Sequence, residues 1–176
     1  MRTRNPTQTR ERLLQAAFGE IYEQGYTAAS VDRIVERSGV TKGALYHHFG
    51  GKKELGLAVI GGTIRTMVVD SFLESLAEAE NPIDGIQACL AAKLDCITPE
   101  QVACGCPLNN LAQELSASDD DFRNQIRNLY EEWRRILADA LVRGQKKGHA
   151  FVNEIWPPCD TEMWPPLRLT DVLSGS

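Results

Sequence analysis

The chain has 176 residues and a mass of 19.5 kDa, enough to bury a core without disulfide or metal staples. Hydrophobic residues make up 43% and charged residues 24%, values that exclude wholesale disorder and a fibrous repeat. Arg65, Asp70 and Glu74 interrupt the most apolar stretch after Leu55, so no bilayer-spanning segment is expected, and Arg10, Glu11 and Arg12 leave no signal-peptide core. The expectation is a cytoplasmic protein with no membrane partner.

The net charge of -5 is unevenly distributed. Through Leu55 there are 9 basic residues against 6 acidic ones, a balance of +3, and the remainder carries -8. A basic front on an acidic body suggests that only the front meets a polyanion.

Leu13, Leu14, Ala17, Phe18 and Ile21 recur at helical spacing behind Thr9, read as a cap, and the pattern stops at Gly25. Ser30 is read as the cap of a short helix with Val31, Ile34 and Val35 on its apolar side, ended by Gly39. Thr41 caps a third helix, Lys42 to Phe49, whose Leu45 and Phe49 lie four apart on one face, and Gly50 and Gly51 close it. Two short helices joined by a Gly-containing turn make a helix-turn-helix, the second being the one that could enter a major groove.

A longer helical pattern runs from Lys52 through Leu55, Val59, Met67, Val68 and Phe72 towards Glu80, with Gly61 and Gly62 as a bend or weak point. Asn81 and Pro82 mark a restart, and Ile83 to Ile97 is apolar enough for a buried helix ending at Thr98 and Pro99. Cys106 to Leu115 forms a short helix introduced by Pro107. Ser118 and Asp119, Asp120 and Asp121 then suit a helix N-terminus, followed by the stripe Phe122, Ile126, Leu129, Trp133, Ile136, Leu137 and Leu141 and a stop at Gly148. No strand alternation is convincing, so the fold class is all-α. From Trp156 two Trp-Pro-Pro units cannot continue a helix, and the end of the chain is read as extended or disordered.

The stretch ERLLQAAFGEIYEQGYTAASVDRIVERSGVTKGALYHHFGGKKEL resembles the TetR family of bacterial transcriptional regulators. The Gly25-Tyr26 corner, the Ser30 cap, the Gly39-Val40 turn and the helix from Gly43 to Phe49 carry the resemblance, and GCPLNNLAQEL, Gly105 to Leu115, adds a looser match to the family's ligand and dimer domain. The resemblance implies a helix-turn-helix DNA-binding domain over residues 7–55 with its motif at 30–49, a helical ligand-binding and dimerisation domain over 56–150, and an atypical tail over 151–176. It further implies a homodimer on a palindromic operator, released by a small-molecule inducer. The family's last two helices do not fit residues 150–176, which are too short and too rich in Pro.

The chemistry of the third helix points the same way without the name. With Leu45 and Phe49 inward, Lys42, Gly43, Tyr46 and His47 face outward, and Gly43 and Ala44 are small enough for the helix to lie deep in a groove. Lys42 can reach a guanine edge or a phosphate, and Tyr46 and His47 carry donors for phosphate oxygens. Thr27 and Thr41 stand at helix starts, where free amides attract phosphate, and Lys52 and Lys53 extend the positive rim. By resemblance the DNA contacts are Thr27, Ser30, Thr41, Lys42, Gly43, Ala44, Tyr46, His47 and Lys53. Inducer contacts are sought among Met67, Phe72, Asn109, Asn110, Tyr130 and Trp133.

Competing chemistry is sparse. His47 and His48, adjacent on a helix, point about 100° apart and cannot jointly grip one ion. Cys89, Cys96, Cys104, Cys106 and Cys159 are odd in number, and Cys104-Gly-Cys106 lacks zinc spacing, so no metal and no disulfide framework is expected. A thiol-based redox or electrophile sensor using Cys104 and Cys106 before a helix N-terminus is one alternative, and a non-DNA-binding helical adaptor is the other. No phosphate loop, nucleophile elbow or HExxH is present, so neither catalysis nor a cofactor is expected.

Overall fold

A computed structural model describes residues 6–149, and all regular structure among them is helical. Helix α1, Pro6–Gln24, starts a turn earlier than the Thr9 cap would put it, because Pro6 is suited to a first helical turn. Helices α2, Val31–Ser38, and α3, Lys42–Phe49, follow, and Gly39 between them takes the left-handed φ of 59° expected of a helix stop. Leu13, Ala17, Ile21, Ile34, Leu45 and Phe49 make the common core of this three-helix unit. Arg10 lies 5.2 Å over the Phe49 ring, which closes the edge of that core.

The same unit buries a carboxylate that the apolar pattern does not reveal. Glu20 is 2% exposed and binds Arg33 Nε at 2.8 Å and the more distant Arg37 at 3.4 Å. Arg37 also forks onto Glu23 with bonds of 2.8 and 2.7 Å. A signal is nonetheless present in the sequence: an acid within the apolar stripe of α1, and two arginines one turn apart on α2.

From Lys52 the backbone stays helical to Glu78, a rod of 27 residues. It comprises α4, Lys52–Val59, two π-wound stretches, Ile60–Ile64 and Thr66–Asp70, and α5, Ser71–Glu78. Gly61 and Gly62, where the sequence predicts a bend or weak point, lie in the first π-wound stretch, and the helix continues through them. Ser71 Oγ and Lys93 Nζ both donate to the Met67 carbonyl, at 2.9 and 2.6 Å, and so supply partners for an oxygen of that stretch.

By length and composition this rod is apolar enough to cross a membrane, contrary to the sequence expectation. Part of its apolar surface has a protein destination, however, while Met67 and Leu73 are exposed. Leu55, Val59, Ile60, Ile64 and Val69 belong to one core cluster with α1 and with Phe122, Ile126 and Leu129. Arg65 forms ion pairs with Asp70 at 2.8 Å and Glu132 at 2.5 Å.

Helix α6, Pro82–Cys96, packs back on α5 so closely that a Cβ at Gly85 would stand 2.9 Å from the Ser75 carbonyl. Only Pro82, Gly85 and Cys89 of α6 are buried, while Leu90, Leu94 and Ile97 are exposed, so the expectation of a buried helix is corrected. Helix α7, Pro99–Cys104, is not expected from the sequence, because Thr98-Pro99 reads as a stop; Thr98 is instead an N-cap with Gln101 completing a capping box. Helices α8, Pro107–Leu115, and α9, Asp120–Lys146, follow, with Asp119 Oδ1 accepting from the Asp121 and Phe122 amides. The expectation of an extended tail lies outside the described residues.

Two glycines of the rod test this packing in opposite directions. A Cβ at Gly56 would meet Tyr26 at 2.7 Å and Phe122 at 3.0 Å, so Gly56→Ala should destabilise the fold by about 1–3 kcal/mol. A Cβ at Gly62 meets nothing within 4 Å, so Gly62→Ala should leave the stability unchanged or raise it by up to ~1 kcal/mol through helix propensity. Thermal melts of the two variants would overturn the packing described here if their order were reversed.

Candidate nucleic-acid interface

Helix α3 is rotated by its own core residues. Leu45 is fully buried and Phe49 nearly so, which leaves Thr41, Lys42, Gly43, Tyr46 and His47 exposed and Ala44 half-buried at the edge of the same face. Thr41 Oγ1 accepts from the Ala44 amide at 3.3 Å, as its role as cap requires. The Lys42 and Gly43 amides have no intrahelical acceptor, so this end of α3 keeps donors directed outward.

Gly43 is the informative residue. A Cβ placed there would meet nothing within 4 Å, and no unusual backbone angle demands glycine. Glycine within a helix costs up to ~1 kcal/mol relative to Ala. No contact within the protein requires a glycine at this position, and the face it leaves bare is exposed.

Lys42 Nζ lies 2.7 Å from Asp32 Oδ1 on α2, both side chains being exposed. That hydrogen bond holds the Lys42 pKa above the ordinary lysine value, so the ammonium is fully charged at neutral pH. Tyr46 is 48% exposed, and the His47 and His48 rings stand edge to face with centroids 5.5 Å apart. Among the described residues no cluster of three metal-ligating side chains occurs.

Besides Lys42, three more of the expected contacts have partners within the protein. The Thr27 side chain is exposed, but its amide is not free for phosphate: it donates to Glu114 Oε1 at 2.6 Å. Ser30 occupies the N-cap position of α2 without a side-chain cap bond, and its amide donates to Glu20 Oε1 at 3.2 Å. Lys53 Nζ lies 2.7 Å from Asp119 Oδ2 and 2.7 Å from Asp121 Oδ2, at the start of α9. Its neighbour Lys52 donates to the Thr27 carbonyl at 3.1 Å and sits 4.8 Å over the Tyr26 ring. The positive rim is therefore an internally paired one.

These partners join the three-helix unit to the helices behind it. Burial would raise the Glu114 pKa, but hydrogen bonds from Thr27 and Tyr26 and the charge of Lys52 outweigh it and hold the carboxyl below its ordinary value of 4.5. The hydrogen bond from Lys53 holds Asp119 below its ordinary 3.8, and the bonds to Asp119 and Asp121 hold Lys53 well above the lysine range.

The expected inducer contacts do not surround one cavity. Tyr130 and Trp133 line an open groove of about 620 Å³ on α8 and α9, together with Ile126, Leu137 and Leu141. Phe72 is buried behind it, 5.8 Å from the Trp133 ring, and the Trp133 indole nitrogen is buried with no hydrogen-bond partner. Asn110 lines a separate cavity of about 60 Å³ between α1 and α8 and donates to the Cys104 carbonyl at 2.7 Å. Asn109 and Met67 are exposed elsewhere. Cys104 is half-buried and Cys106 exposed, both as free thiols.

The lowered carboxylates set the acid response of this junction. A carboxyl whose folded pKa is depressed contributes stability above its unfolded value and loses it as the pH falls through the folded one. Melting temperature should therefore hold from neutral pH down to the ordinary carboxylate value of 4.5 and decline below it. Melts recorded over that range would refute the junction's charge pairing if the melting temperature rose on acidification.

Comparisons with known proteins agree with this geometry. A family described as bacterial regulatory proteins, tetR family, matches residues 13–59, and a C-terminal domain described as transcriptional regulator LmrA/YxaF-like matches residues 82–150. An HTH-type transcriptional regulator from the lacX 3' region of Lactococcus lactis subsp. lactis is 31% identical over 80% of this chain and 72% of its own length. The HTH-type transcriptional regulator LmrA of Bacillus subtilis is 30% identical over 76% and 71%. A crystal structure of the regulatory protein TetR from Rhodobacter sphaeroides superposes with a TM-score of 0.71 at 26% identity, covering 81% of this chain and 76% of that one. The 31% identity to the Lactococcus lactis regulator, over 80% of this chain and 72% of that one, together with the two family matches, shows that this chain belongs to the TetR family of bacterial transcriptional regulators, which are DNA-binding proteins and not enzymes.

Proposed function

We propose that this protein is a ligand-responsive repressor of the cytoplasm that binds a palindromic operator as a homodimer and leaves it when a small-molecule inducer binds. The observation that carries the reading is Gly43, a helical glycine on an exposed face with empty space where its side chain would stand. A duplex accounts for that space, because the major groove admits a helix only where its backbone can approach the base edges.

In this reading Thr27, Ser30, Thr41, Lys42, Gly43, Ala44, Tyr46, His47 and Lys53 meet the operator. Lys42 and Tyr46 project beside the bare Gly43–Ala44 surface, and the Lys42 and Gly43 amides suit a phosphate. Lys53 reaches DNA by leaving Asp119 and Asp121, so its bond to a phosphate competes with an internal ion pair. The apolar groove along α9 suits a second copy or an inducer, its floor formed by Tyr130, Trp133 and Leu137. Two reading heads must meet successive major grooves about 34 Å apart, so a small change in their separation forfeits simultaneous binding. The inducer weakens operator binding by as much as it prefers the non-binding arrangement.

Gly43→Met separates folding from recognition. Methionine is the better helix former, so the melting temperature should stay level or rise, while affinity for an operator selected from random duplexes should fall by about tenfold or more through groove exclusion. Retained affinity would remove the DNA-facing role of α3. Lys53→Ala should weaken all duplexes alike and reduce the slope of log affinity against log salt by about 0.9, the value for one phosphate no longer neutralised. An unchanged slope would leave Lys53 with its aspartates in the complex.

A further inference from the structure

The corner between α1 and α2 is held from a distance. Glu114, half-buried on α8, accepts from two successive amides there, Tyr26 at 2.8 Å through Oε2 and Thr27 at 2.6 Å through Oε1. The corner is shaped to receive it. Gly25 adopts a φ of +79°, and a Cβ there would stand 3.2 Å from Glu114 Oε2. Lys52 completes the arrangement by donating to the Thr27 carbonyl.

Two further interactions flank this one. Tyr22, near the end of α1, donates to the Gly105 carbonyl at 2.6 Å and the Gln101 carbonyl at 3.0 Å, and Lys53 holds Asp119 and Asp121. Of the three, only Glu114 bonds the backbone that leads into α2. Its helix also borders both cavities: Ala112, with Ser116 just past the helix end, lines the open groove on α9, while Pro107, Asn110, Leu111 and Glu114 itself line the small one beside α1. A shift of α8 therefore reaches the corner through two short charge-assisted hydrogen bonds as well as through the packing of Tyr26 on Phe122.

We propose that Glu114 is a positioning residue for operator recognition: its carboxylate, bonded to the Tyr26 and Thr27 amides, sets the angle at which the α2–α3 unit stands on the α8–α9 body. The proposal rests on the DNA-binding function proposed above and adds to it the residue that fixes the reading heads' geometry. Glu114 itself needs no contact with DNA. What it controls is whether two recognition helices of a dimer reach their half-sites together.

The residue's contribution thus belongs to specific binding and not to general attraction for phosphate. Non-specific affinity depends on the number of cations that meet phosphates, which this carboxylate does not alter. Specific affinity depends on both heads seating at one spacing.

The test compares wild type with Glu114→Gln, which keeps the size and one acceptor but turns an amide group towards the second N–H. Both proteins are titrated against an operator selected from random duplexes with the wild type, against the same operator with one base pair inserted between half-sites, and against a scrambled duplex. Glu114→Gln should lose about tenfold on the operator, the effect expected from one charge-assisted hydrogen bond. It should keep scrambled-duplex affinity within about twofold and discriminate less against the inserted base pair. Equal losses on operator and scrambled duplex, in step with a lowered melting temperature, would reduce Glu114 to a structural brace and overturn the proposal. So would unchanged affinity throughout. Should Glu114→Gln fail to fold, Glu114→Asp, a methylene shorter and able to reach one amide only, is read by the same three titrations. A wild type that prefers no duplex would instead sink the DNA-binding function itself, an outcome separate from any behaviour of the variants.

Discussion

Burial of Leu45 and Phe49 is the constraint on which the recognition surface depends. An eight-residue helix has too few hydrogen bonds to be stable alone, so α3 exists because those two side chains enter the core made by α1 and α2. Their burial also sets its rotation. Once they point inward, Lys42, Gly43, Tyr46 and His47 have no direction left but outward, and the bare surface at Gly43 follows without further adjustment.

The same core does not stop at the helix-turn-helix. Leu55, Val59, Ile60 and Ile64 on the long rod share it with α1 on one side and with Leu111, Leu115, Phe122 and Ile126 on the other. Close approaches at Gly56, where Tyr26 and Phe122 meet edge to face with centroids 4.7 Å apart, leave little freedom for independent movement. A packed interface of this kind ties the helix-turn-helix to the helices behind it. The π-wound stretches lie midway along the rod, and Ile60 and Ile64 of the first still share the core with α1. Polar bonds at Tyr22, Glu114 and Lys53 cross the same junction.

Much of this is legible along the chain. Helices α2, α3 and α8 lie within a residue of where their caps and glycines put them, and α9 follows its apolar stripe from Phe122. The departures have specific causes. Thr98-Pro99 carries the same residues as a stop and as a capped start, and only Gln101 folding back on Thr98 decides between them. The apolar side chains of α6 read as core, but its packing on α5 uses the small residues Gly85 and Cys89, leaving Leu90 and Leu94 outside.

The sequence by itself determined the local geometry and the chemistry of the exposed face: which segments wind, where they stop, and that a glycine stands on the outer face of the third helix. Those properties depend on neighbours within a turn or two, and so they are written in short patterns. Only the tertiary structure decided which polar groups are already engaged. Glu114 lies 88 residues from Tyr26, and Asp119 lies 66 from Lys53, so no local pattern could reveal that these partners hold the corner and the rim. An amide or an ammonium looks free in a sequence until folding brings a carboxylate to within about 3 Å of it.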